Sequence, residues 1–135
     1  MQRSLNGGDT WETIYALGDV FSAVSSGRLY AGGPVEPCGI GDHIFRLAHT
    51  DNSGQTWQSV TLGCLYKLEQ IAVLPSQPDV IYLSALKSKV YMGMLLKSTD
   101  GGQTWNTFTL PFEGAYSALV IDPSDPQRLY SSGQY

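Results

Sequence analysis

Polar and apolar residues alternate with a period of two through most of the chain. Thr104-Trp105-Asn106-Thr107-Phe108-Thr109-Leu110 shows the pattern, and in 43–49 Ile44, Arg46 and Ala48 alternate with Phe45 and Leu47. Such alternation marks strands half buried on one face. It predicts strands at 10–17, 19–24, 28–31, 43–49, 56–62, 70–74, 80–85, 90–97, 104–110, 117–121 and 128–131. Turn residues separate them, among them Ser25-Ser26-Gly27 and Pro75-Ser76-Gln77-Pro78-Asp79. Residues 32–42, Gly-Gly-Pro-Val-Glu-Pro-Cys-Gly-Ile-Gly-Asp, are expected to form the longest loop because of their Pro and Gly content. No significant helix is expected, so the fold class is all-β.

One turn recurs. Ser98-Thr99-Asp100-Gly101-Gly102-Gln103-Thr104-Trp105 is echoed by Ser4-Leu5-Asn6-Gly7-Gly8-Asp9-Thr10-Trp11 and by Thr50-Asp51-Asn52-Ser53-Gly54-Gln55-Thr56-Trp57. The tryptophans are spaced by 46 (57 − 11) and 48 (105 − 57) residues. A fixed period of this size indicates repeated supersecondary units, and the four-stranded propeller blade is the usual one. Within each copy, Asn6, Asn52 or Asp100 can accept backbone N–H bonds, and Gly8, Gly54 or Gly102 supplies a positive φ. Asn replaces Asp in two copies, which a backbone-bonding role tolerates and a charge-dependent catalytic role would not. Trp57 and Trp105 are expected to be largely buried, each between its hairpin and a neighbouring sheet.

The pattern Ser/Thr, any, Asp/Asn, any, Gly, any, Thr, Trp closely resembles the Asp-box, or bacterial-neuraminidase repeat. Residues 98–105 fit it without departure, and the three copies span the chain. A second signature, an apolar run, Pro-Ser-x-x-Pro and then Leu/Ile-Tyr, repeats at Pro75–Tyr82 and Pro123–Tyr130. It resembles propellers of the xyloglucanase, sortilin and photosystem-assembly-factor type; the first unit lacks the Pro-x-x-Pro turn. The resemblance implies a box between the third and fourth strands of each blade, with a structural role for Ser4, Asn6, Gly8, Trp11, Thr50, Asn52, Gly54, Trp57, Ser98, Asp100, Gly102 and Trp105. The expected organisation is a partial Asp-box β-propeller over 1–135. It comprises an outer strand at 1–17, blades at 18–63 and 64–112, and inner strands at 113–135.

Composition narrows the function. Net charge is −4 with scattered basic residues, which argues against nucleic-acid binding, and no apolar run is long enough for a transmembrane helix. Met1-Gln2-Arg3 leads straight into the first box, so no signal peptide is expected, although the family resembled is often secreted or extracytoplasmic. The two histidines, His43 and His49, lack metal-ligand spacing, and no metal or cofactor is expected.

Candidate chemistry falls in loops expected opposite the boxes, near 17–20, 32–42, 63–69, 86–89 and 111–116. Carboxylates there are Asp19, Glu36, Asp42, Glu69 and Glu113. A glycosidase needs two carboxylates across a cleft, and Asp42 and Glu36, on the longest loop, are the candidates. A sialidase-like site would add an arginine cluster, yet Arg3, Arg28, Arg46 and Arg128 all lie outside these loops. Tyr66, Phe112 and Tyr116 are candidate stacking residues for a sugar or peptide, or else pack between blades. Cys38 and Cys64 are the only cysteines, and they form either a disulfide or two buried thiols. The reading is a non-catalytic scaffold or binding surface for carbohydrate or protein. A segment of a secreted propeller glycoside hydrolase, and one of an assembly factor or receptor, are the alternatives.

Closure of a ring by one chain is not expected. Five residues follow Tyr130 and three precede Ser4, about half of what a third strand with its loop occupies elsewhere. The chain therefore reads as an open arc with exposed edges, whose partners are further blades or another copy, and as marginally stable with concentration-dependent association.

Overall fold

The computed structural model describes residues 1–16, 18–25, 27–87, 92–113 and 116–133. Among them there is no helix, and no segment able to cross a membrane as one. The protein is all-β, with four antiparallel sheets of two to four strands. The first sheet pairs β1 (Gln2–Arg3) with β2 (Glu12–Thr13). The second is the meander β3 (Val20–Ser25), β4 (Arg28–Pro37), β5 (His43–Thr50) and β6 (Gln58–Leu65). The third repeats it with β7 (Lys67–Leu74), β8 (Gln77–Lys87), β9 (Met92–Ser98) and β10 (Asn106–Glu113). The fourth pairs β11 (Tyr116–Asp122) with β12 (Asp125–Gly133).

Of the strand expected at 10–17, the described residues keep only the two of β2, whose partner β1 is equally short; position 17 lies outside the described residues. The loop expected at 32–42 shrinks too. β4 continues to Pro37, with Gly33 opposite Arg46, Pro34 opposite Phe45 and Glu36 opposite Ile44. Prolines fit here because β3 leaves β4 after the Val20–Gly32 pair, so the edge beyond has no strand that needs an N–H. A bulge between Pro34 and Glu36 absorbs the irregularity. Glu36 is thus a strand residue and not a loop residue. The later Pro-rich turns tighten in the same way: Leu74 already pairs with Gln77, and Asp122 with Asp125.

Consecutive sheets pack through their first strands: β3 lies against β7, and β7 against β11. One core joins Tyr30, Phe45 and Leu47 of the second sheet to Ile71, Ile81, Leu83 and Leu96 of the third. A smaller one joins Ala72, Leu74 and Tyr82 of the third to Leu119 and Ile121 of the fourth. Gly32 makes the first contact close, since a Cβ there would stand 2.5 Å from Leu68 Cδ2. The register sets two ends. Thr50, Ser98 and the β3–β4, β7–β8 and β11–β12 turns lie at one end; the Cys38–Asp42 loop, the β6–β7 junction and Lys87 lie at the other.

Candidate functional site

At the first end the three repeated turns have one hydrogen-bond plan. The Ser98 hydroxyl accepts from Asp100 N and Gly102 N at 3.3 and 2.8 Å and donates to Asp100 Oδ1 at 2.7 Å. Asp100 Oδ1 also accepts from Thr104 N at 2.9 Å. Thr50 and Asn52 reproduce this with Gly54 and Thr56. Ser4 and Asn6 do so with Gly8 and Thr10. Gly8, Gly54 and Gly102 hold φ of 104°, 90° and 94°, where a side chain would be strained.

One bond changes direction. The Thr104 hydroxyl donates to Asp100 Oδ2 at 2.5 Å. In the other copies Asn52 Nδ2 and Asn6 Nδ2 donate to Thr56 Oγ1 and Thr10 Oγ1, each at 2.8 Å. A hydroxyl both donates and accepts, so the threonine adapts to acid or amide. These bonds hold the Asp100 carboxyl at about 2, below its usual 3.8, with the Thr104 hydroxyl bond as the largest cause. A depressed folded value means a stabilising contribution present above the unfolded pKa and lost as pH falls through about 2. Asp100→Asn should therefore keep the melting temperature at pH 7 and flatten its fall between about pH 4 and pH 2. Asp100→Ala should lower it at pH 7. Thermal melts of both variants against pH check this; equal melting of all three proteins at pH 7 would count against the capping role.

The turns also bind sheet to sheet. Trp57 Nε1 donates to Ile14 O at 3.0 Å, and its ring lies 4.4 Å from Tyr15. Trp105 packs on the core shared with the second sheet, its Nε1 bonded to Gly102 O at 2.9 Å. Both rings are half buried rather than fully buried, and Trp11, with no sheet before it, is exposed. Arg28 spans the second and third sheets, donating to Asp51 at 2.5 Å and Asp79 at 2.8 Å. The Asp51 bond is the main reason its guanidinium pKa is raised. Tyr30 OH donates to Pro78 O at 3.0 Å, and burial raises its pKa. Arg28, Tyr30 and Asp79, with His49, Gln58, Asp100 and Gln103, line a cleft of about 270 Å³. The sequence hides this clasp, whose partners lie 23 and 51 residues from Arg28.

At the opposite end Cys38 and Cys64 form a disulfide with Cα atoms 6.1 Å apart. It closes the open alternative of two thiols. Cys38 N donates to Asp42 O at 3.1 Å, tightening the five-residue loop at 38–42. Asp42 is half buried, and its Oδ1 is enclosed without a hydrogen-bond partner. Glu69 is similar: Oε2 meets Lys67 Nζ at 3.1 Å while Oε1 is enclosed and unpartnered. Glu36 is exposed on β4. Tyr66 is half buried between β6 and β7, its N–H bonded to Leu86 O at 2.9 Å. Phe112 and Tyr116 lie on β10 and β11, and their side chains fall outside the described residues, as do parts of the expected loops at 86–89 and 111–116.

Three of the four arginines are engaged at the first end or beside it: Arg3 with Glu12, Arg28 with Asp51 and Asp79, Arg128 with Asp122 and Asp125. They do not converge on Asp42. No His/Cys/Asp/Glu group able to hold a metal occurs among the described residues. Comparison with protein-family models and with curated proteins finds no match for this chain.

Proposed function

We propose that the chain is an arc of an Asp-box β-propeller acting as a scaffold or binding surface for carbohydrate or protein, without chemistry of its own. The observation that carries this is the shared hydrogen-bond plan of the three turns at one end of successive, adjoining sheets. It commits the most regular polar residues to holding hairpins. The other end, around the Cys38–Cys64 bridge, Asp42 and Tyr66, is left as the surface for a ligand.

A glycoside hydrolase segment, xyloglucanase-like, is the second reading, and the enclosed, unpartnered Asp42 Oδ1 is what favours it. An inverting or retaining site needs a second carboxylate facing the first, and Glu36 is instead exposed along β4. An assembly-factor or receptor segment would use the same surface for a protein. Incubation with xyloglucan and aryl glycosides should give no turnover, while a glycan array and a pull-down distinguish sugar from protein as ligand. Turnover that disappears in Asp42→Ala would replace the scaffold reading with the hydrolase.

A further inference from the structure

Two cavities lie side by side at the end that carries the repeated turns. The cleft of about 270 Å³ runs between the second and third sheets. A smaller one, of about 160 Å³, opens beside the second turn and is lined by Thr50, Asp51, Asn52 and Thr56. His49 and Gln58 line both. These two residues stand opposite each other in the β5–β6 register, so one cross-strand pair is the wall the cavities share. Together the cavities make one groove. Its walls belong to the two sheets that each have four strands, and neither β1–β2 nor β11–β12 contributes a residue to it.

The lining holds planar polar groups in fixed places. Arg28 is pinned by Asp51 and Asp79, yet its side chain is still 25 % exposed. His49 stacks on Tyr30 with ring centroids 5.7 Å apart and is 24 % exposed. Gln58 and Gln103 are exposed, one on each wall of the larger cavity. An amide both donates and accepts, and a guanidinium or amide fork can span two neighbouring hydroxyls as it spans two carboxylate oxygens. Val60 and the His49 ring add an apolar strip for the C–H face of a sugar.

Charge and lining chemistry narrow the ligand. Asp51, Asp79 and Asp100 stand against the single guanidinium of Arg28, and Asp100 keeps its charge down to about 2 because of its Thr104 bonds. Phosphate and uronate groups are therefore repelled. A peptide anchors through apolar or aromatic side chains in pockets, and Val60 is the only aliphatic side chain among the described lining residues. Two joined cavities suit a linear chain of similar units better than one compact molecule.

We infer that this groove binds a neutral linear polysaccharide, one sugar ring in each cavity, with Gln58 between the rings and Arg28 and Gln103 holding the ring in the larger one. The inference rests on the reading of the chain as a binding surface. It adds a site at the end opposite the Cys38–Cys64 bridge.

The test is titration of the protein with cello-, xylo- and manno-oligosaccharide tetramers, and with an oligogalacturonate tetramer as the anionic control, followed by calorimetry and backbone amide shifts. At least one neutral tetramer should bind saturably, and the anionic one should not. The shifts should cluster on His49, Gln58, Gly101 and Gln103. Gln58→Ala and Gln103→Ala, both at exposed positions, should each weaken binding about tenfold, as loss of a hydrogen bond predicts, with an unchanged melting temperature. Ile40→Ala, in the exposed loop at the opposite end, should leave the affinity as it was. No binding of any neutral tetramer, equal binding of the anionic one, or affinity indifferent to both glutamine variants would each overturn the groove. The broader reading fails separately. Glycan binding that ignores the glutamines and shifts the amides of Cys38 and Ile40 removes the groove and keeps the binding surface, whereas turnover of a glycoside strikes the scaffold reading itself.

Discussion

Replacing Cys38 and Cys64 together by serine should lower the free energy of unfolding by about 3.5 kcal/mol, the chain-entropy value for a loop of this length. The bridge has a sequence separation of 26 and ties the end of β4 to β6 across the intervening β5. Without it, the 38–42 loop keeps only backbone bonds such as Cys38 N to Asp42 O. The unfolded chain, meanwhile, gains all the freedom that the bridge removed. Urea unfolding of the double variant should shift to a lower midpoint with a similar slope; protein concentration must be held fixed, since association adds apparent stability. A change under about 1 kcal/mol would show that the bridge constrains an already ordered loop.

Leu83→Ala should cost about 3 kcal/mol, within the usual range for a buried leucine. Leu83 is fully buried at the centre of the third sheet, facing Ile71 on β7 and Leu96 on β9. Its neighbours in the core include Tyr30 and Leu47 of the second sheet. Strands fixed on both sides cannot collapse into the space, so both the transfer term and the cavity term apply. Phe108→Ala is the control, because that side chain is exposed in the monomer. Equal losses for the two variants in dilute solution would contradict the burial.

Local chemistry was legible in the sequence. The Ser/Thr–Asp/Asn–Gly–Thr turn closes within eight residues, so spacing alone predicted the acceptors that Asn6, Asn52 and Asp100 provide. Strand lengths were less legible. Pro34 and Pro37 read as loop residues because proline removes a donor, and whether that donor is missed depends on β3 leaving the edge of β4, a fact about pairing rather than composition. Trp57 and Trp105 were expected to be largely buried, and both are half buried. Trp11 shares their local sequence yet is exposed, because burial depends on a neighbouring sheet that the eight-residue turn does not encode. The Arg28 clasp joins the start of β4 to the turn at Asp51 and to Asp79 on β8, and no short window of sequence contains it. At the opposite end the sequence placed Asp42 and Glu36 together on one loop; the longer β4 separates their environments.

The rotating hydroxyls of Thr10, Thr56 and Thr104 bear on how such a chain can evolve. Aspartate and asparagine codons differ by one base, and the hairpin accepts either side chain with the reversal of a single hydrogen bond. Each exchange moves the net charge by one while leaving the backbone turn satisfied. Lineages can thus drift in isoelectric point, and with it in solubility and in the sign of their long-range field, without passing through misfolded ancestors.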